Sequence, residues 1–147
     1  MNILPYIGIG DIKFGMTMND VRSFWGQPEN IRYFIPIENN PEERDVIWEY
    51  EDTLEFSFSS DDEFLLSTIT SSSEKIRLND VVLVGRDISE VSLDFPTIYL
   101  EDDFEETGQS YDIPEFDVTL WVKNGVVDTV LFFPKYDASG NNVIWPS

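Results

Sequence analysis

Neither cysteine nor histidine occurs in the 147 residues. The first absence excludes disulfides, thiolate metal sites and thiol nucleophiles; the second removes zinc sites of the usual type, Ser-His-Asp catalysis and an imidazole pH switch. Cations are scarce: nine Lys and Arg stand against 29 Asp and Glu, for a net charge of −20 and a pI near 4.1. Such a field repels nucleic acid and anionic membrane and speeds encounter with basic partners, although acidic side chains also serve solubility alone. No run approaches the ~18 apolar residues of a membrane span. Met1-Asn2-Ile3-Leu4-Pro5-Tyr6-Ile7 lacks the basic start and continuous apolar stretch of a secretion signal, so the expected location is the cytoplasm.

For chemistry there remain carboxylates, hydroxyls and a few amines. Gly8-Ile9-Gly10 has neither the third glycine of a phosphate loop nor a following Lys-Ser or Lys-Thr. The acidic runs lack the Asp-x-Asp-x-Asp-Gly order and closing Glu of a calcium loop. No metal or cofactor is expected, and the reading is of a protein that is not an enzyme. The rival is a carboxylate-dependent hydrolase, since among 29 acids some pair comes close by chance.

What is present is a core. Apolar residues make up 41% and aromatics 14%, including eleven Phe, six Tyr and four Trp, too many for a disordered acidic chain. The length suits a single domain, 1–147. Gly15-Met16-Thr17-Met18-Asn19-Asp20-Val21 announces a helix that Thr17 caps, with Asp20 as the reciprocal acceptor. Met18, Val21, Phe24 and Trp25 form its apolar stripe, and Gly26 with Pro28 ends it. An edge strand is expected over 31–37, a loop over 38–44, and strands over 46–50, 54–59 and 64–70; Leu54, Phe56 and Phe58 alternate with Glu55, Ser57 and Ser59.

Gly85-Arg86-Asp87-Ile88-Ser89-Glu90-Val91 then matches residues 15–21 position for position, with Asp87 as the cap and Glu90 closing the box. Phe116, Val118, Leu120 and Val122 alternate with Asp117, Thr119, Trp121 and Lys123, and Asn124-Gly125 is a strong hairpin signal before Val126–Phe133. These observations predict an α+β fold of two degenerate repeats, each a short helix followed by an antiparallel β-meander. The first repeat spans about 8–72, the second about 76–135, and a tail covers 136–147.

Ile12-Lys13-Phe14-Gly15-Met16-Thr17, then Val21, then Gly26-Gln27-Pro28, resembles the signature of the superfamily that contains the β-lactamase inhibitor protein and the small outer-membrane assembly lipoproteins. The closing Val143-Ile144-Trp145-Pro146 is similar to that of small acidic bacterial proteins of this type, some encoded near secreted toxins. The resemblance implies an α+β protein that binds proteins. The chain lacks the acylated cysteine of the lipoprotein branch and the disulfides of the inhibitor branch, which points to a cytoplasmic, toxin-immunity type of member.

Two features stand out as partner-binding candidates. Glu101-Asp102-Asp103-Phe104-Glu105-Glu106 is the densest charge cluster, and Asp102, Asp103, Glu105 and Glu106 suit the Lys and Arg side chains of a basic partner, plausibly a toxin; the alternative is a solvated loop. Trp121 falls on the wet face of its strand beside Thr119 and Lys123, where a large aromatic serves either as an interface anchor or as a residue covered by the other half. Trp48, Tyr50 and Trp25 read as core. The expected role is a non-enzymatic, immunity- or inhibitor-type module binding a basic protein; the alternative is an assembly adaptor binding a neutral surface. Monomer and dimer both stay open.

Overall fold

A computed structural model describes residues 1–35, 43–51 and 53–146. In chain order the strands and helices are β1 (Asn2–Leu4), β2 (Gly8–Ile9), β3 (Ile12–Lys13), α1 (Met18–Trp25), β4 (Asn30–Phe34), β5 (Asp45–Tyr50), β6 (Leu54–Ser59), β7 (Leu65–Ser71), β8 (Arg77–Leu78), β9 (Val81–Val82), α2 (Ile88–Asp94), β10 (Tyr99–Asp103), β11 (Gln109–Ile113), β12 (Val118–Lys123), β13 (Val126–Phe132), β14 (Lys135–Tyr136) and β15 (Val143–Ile144). Single 3-10 turns occupy Ser60–Asp62 and Glu105–Thr107.

The dominant element is one eight-stranded antiparallel sheet in the order β10-β11-β12-β13-β7-β6-β5-β4. Two four-stranded meanders meet where β13 pairs with β7, Val130 facing Ser71 and Phe132 facing Ile69. Period-two burial along β6 and β12 gives the sheet a dry face and a wet one. Against the dry face lie both helices and a second, five-stranded sheet, β3-β2-β1-β8-β9, which contributes Ile3, Ile9, Ile12 and Leu78. One continuous core results, with Trp48, Phe56, Phe58 and Phe132 almost wholly withdrawn from water.

The entry to each helix is stitched to a central strand. The Gly15 N–H donates to Leu66 O and the Leu66 N–H to Met16 O; the Gly85 N–H donates to Val127 O and the Val127 N–H to Arg86 O. At α1 the capping box is complete: Asp20 N–H donates to Thr17 Oγ1 and Thr17 N–H to Asp20 Oδ2, each at 3.1 Å. At α2 it is missing. Asp87 occupies the N-cap position without a side-chain bond, and the Glu90 carboxylate lies 3.7 Å from Arg86 Nε instead of reaching back to the cap.

The expected α+β class, with its two balanced helix–meander repeats, is corrected. Strand accounts for 47% of the protein and helix for 15%, so this is a β fold on which two short helices are laid. The physical reason is twofold. Each helix makes only about two turns and fully buries one residue, Val21 or Val91. The acidic run whose alternative reading was a loop lies partly in a strand, β10, because an edge strand wet on both faces shows no alternation, and β11 beside it had no reading from the sequence. The edge strand expected over 31–37 is Asn30–Phe34. Residues 36–42, which hold its expected end and most of the 38–44 loop, lie outside the described residues. The strand expected from Phe116 begins at Val118, since Asp117 turns the chain with φ 50°. Asn124 and Gly125 both take positive φ, 52° and 77°, as a two-residue hairpin between β12 and β13 requires.

Candidate functional site

The wet face around β10 to β12 brings together two of the residues singled out from the sequence, Asp102 and Trp121, whereas Asp103 falls in the opposite-facing row with Gln109 and Val122. Asp102 pairs with Ser110, and Ser110 pairs with Trp121, so the three form one cross-strand row on one face. Trp121 is half-buried. Its neighbours include Phe104, whose ring centroid lies 5.7 Å away at an interplanar angle of 44°, and Gly108. Phe104 itself is 53% exposed.

Gly108 makes this approach possible. A Cβ there would stand 2.7 Å from Val122 O and 2.8 Å from the indole, and its φ of 140° is one that side-chain-bearing residues avoid. The chain therefore folds back tightly over the Trp121 ring edge, closed by the Phe104 N–H donating to Gly108 O at 2.9 Å.

The four acids divide into two roles. Asp103 is spent on the turn: its Oδ1 accepts from Gln109 Nε2 at 3.1 Å and from the Glu105 N–H at 2.9 Å, and these bonds hold the carboxyl below the usual range. Asp102, Glu105 and Glu106 are exposed, Asp102 in the Trp121 row and the two glutamates in the turn that follows Phe104. The cluster, whose alternative reading is a solvated loop, forms the end of β10 followed by a 3-10 turn. Sequence reasoning missed Phe104 and Gly108. A lone aromatic inside an acidic run, with a glycine four residues on, was the available signal.

A second carboxylate group lies lower on the same hairpins. Asp112 accepts from the Tyr99 hydroxyl at 3.3 Å, and its charge, with burial second, pushes the Tyr99 phenol up. Burial, then Asp112 and Glu101, pushes the Asp117 carboxyl up. Among the described residues no group of three or more acids is placed to hold a metal ion.

A cavity of about 580 Å³ lies elsewhere, at the end of α1 between Trp25, Tyr50, Leu54 and Ile76; Glu51 is the one carboxylate among its described lining residues. None of the partner-binding candidates lines it. No helix among the described residues is long and apolar enough to cross a membrane. Compared with known protein families, curated proteins and solved structures, the chain matches none of them.

Proposed function

We propose that this protein is a non-enzymatic binding module whose acidic β10–β11 hairpin and Trp121 receive a basic segment of another protein. The observation that carries this reading is the Phe104–Trp121 pair, with Asp102 in the Trp121 row and Glu105 and Glu106 in the turn after Phe104, on a chain of net charge −20. An Arg or Lys stem lies along aromatic rings while its charged head meets carboxylates, so an exposed ring pair with an acidic rim suits cationic side chains. Aromatics that are partly dry and rigidly backed are the residues on which interface energy concentrates. The surrounding negative field steers a basic partner inward at rates that fall with salt. An inhibitor or immunity role, in which a basic toxin or enzyme is held inactive, is the biological form that the resemblance to the β-lactamase inhibitor superfamily favours.

The test uses an extended Arg/Lys-rich peptide as probe and an acidic peptide of equal length as control. Binding to the basic probe is expected to weaken with salt. Asp102→Lys should slow association more than it speeds dissociation, and Trp121→Ala should cost about 2 kcal/mol or more, mostly as faster dissociation. Binding that is indifferent to salt and to both substitutions would overturn the reading.

A further inference from the structure

The two edges of the eight-stranded sheet are built in opposite ways. At the β10 edge, Glu101, Asp102 and Asp103 put three carboxylates in five residues, and the pairing with β11 slips between Leu100 and Asp102. A bulge and charges are devices that keep other strands away. The β4 edge has neither: residues 30–34 pair with 49–45 in unbroken register, and Asn30-Ile31-Arg32-Tyr33-Phe34-Ile35 contains no acid. Its one charge is already neutralised, since Arg32 bonds both Glu49 and Glu55 on the neighbouring strands. Its large side chains are in water: Ile31 is 42% exposed, Tyr33 62%, Phe34 55% and Ile35 44%.

We infer that β4 is a self-association edge, and that two copies of the chain pair antiparallel through it to make one continuous sixteen-stranded sheet. A strand centred on Tyr33 is complementary to itself. With Tyr33 facing its own mate, Ile31 faces Ile35 on the dry side and Arg32 faces Phe34 on the wet side, so apolar meets apolar and a guanidinium meets a ring. The charge distribution favours a second copy over a basic partner. A cationic segment finds no acid on β4 itself, and the two beside it, Glu49 and Glu55, are already bonded to Arg32, whereas two chains of −20 repel least where acids are sparse. A two-fold pairing also closes on itself and leaves the acidic β10 edges at the two far ends.

This inference is independent of the proposed basic partner, and salt separates them: screening strengthens the like-charged dimer and weakens the acidic–basic complex. The experiment is sedimentation equilibrium of the whole chain at low and high salt, on the wild type and on Ile31→Lys and Tyr33→Lys, both at exposed positions. Expected is a reversible dimer that tightens with salt and loosens by roughly a hundredfold in Tyr33→Lys, where two lysines oppose each other, and in Ile31→Lys, where a lysine is desolvated against Ile35 of the second copy, with melting of the Ile31→Lys monomer nearly unchanged. Because the chain has no cysteine, Tyr33→Cys adds a single thiol. Directly opposed residues of an antiparallel pair lie within disulfide reach, so mild oxidation should yield a covalent dimer from Tyr33→Cys and none from Leu100→Cys. A wild type that stays monomeric at every salt overturns the inference. So does a dimer insensitive to both lysine variants, or one that cross-links Tyr33→Cys to Leu100→Cys, the mark of head-to-tail pairing.

Discussion

At the scale of single residues, Trp121 and Gly108 act as one unit. The indole keeps its place because the chain at residue 108 passes within contact of it, and that passage requires both a missing Cβ and a φ of 140°. Gly108→Ala is therefore expected to cost about 1–3 kcal/mol of stability from backbone strain, read by urea unfolding, and to weaken the basic probe as well. Phe104→Ala removes only one ring of the pair at an exposed position; it should leave the melting temperature nearly unchanged while reducing probe affinity. That contrast separates a structural role for the pair from a binding one. Asp103 teaches a complementary lesson. By composition it is one acid among many, yet its two accepted hydrogen bonds make it a turn residue.

At the scale of elements, the two helices look alike in sequence and differ in how they start. Thr17 and Asp20 exchange bonds across the first turn of α1, whereas Asp87 makes none from its side chain. Instead, the Ile88 N–H donates to Gly125 O, and Arg86 draws both Glu90 and Asp94 toward itself. Thr17→Ala should thus cost about 1 kcal/mol, the usual worth of a cap, and Asp87→Ala distinctly less, both read from urea midpoints. The Thr17 box, the Gly26 stop, the Leu54–Phe58 alternation and the Asn124-Gly125 hairpin were legible because each depends on neighbours in sequence. The Asp87 box was misread because Arg86, only four residues before Glu90, offers that carboxylate another partner at 3.7 Å, a competition the capping pattern alone does not show. β10 was missed because its five residues are all exposed, which removes the alternation by which a strand is recognised.

At the scale of the whole molecule, acidity and stability are linked. Burial, with Asp61 and Asp45, raises the Asp62 carboxyl, and burial, with Asp112 and Glu101, raises that of Asp117. Carboxyls raised in the folded state cost stability while both states are ionised, and the cost is relieved as pH falls through the folded value toward the ordinary 3.8. Asp103 and Asp137 act the other way. Held low, Asp137 at about 2 by Ser139 and then Asn142, they contribute stability above 3.8 that is lost as pH drops below it. The melting temperature should consequently rise as pH falls from 7 toward the ordinary 3.8 and fall again below it. Added salt at pH 7 should raise it by screening the −20 charge. A melting temperature that falls steadily from neutral pH downward would show that the raised acids do not govern the trend.

By itself the sequence determined the charge, the chemistry that lacks of cysteine and histidine exclude, the start of α1, the strongly alternating strands and the tight turn at Asn124-Gly125. All of these follow from composition or from contacts between residues a few positions apart. Only the tertiary structure decided that the meanders share one sheet, that Phe104 and Gly108 cover Trp121, and that the two sheet edges differ in their guard against pairing. Those outcomes rest on strand order and register, which are set by which distant segments bury their apolar faces together, and no local pattern encodes that choice.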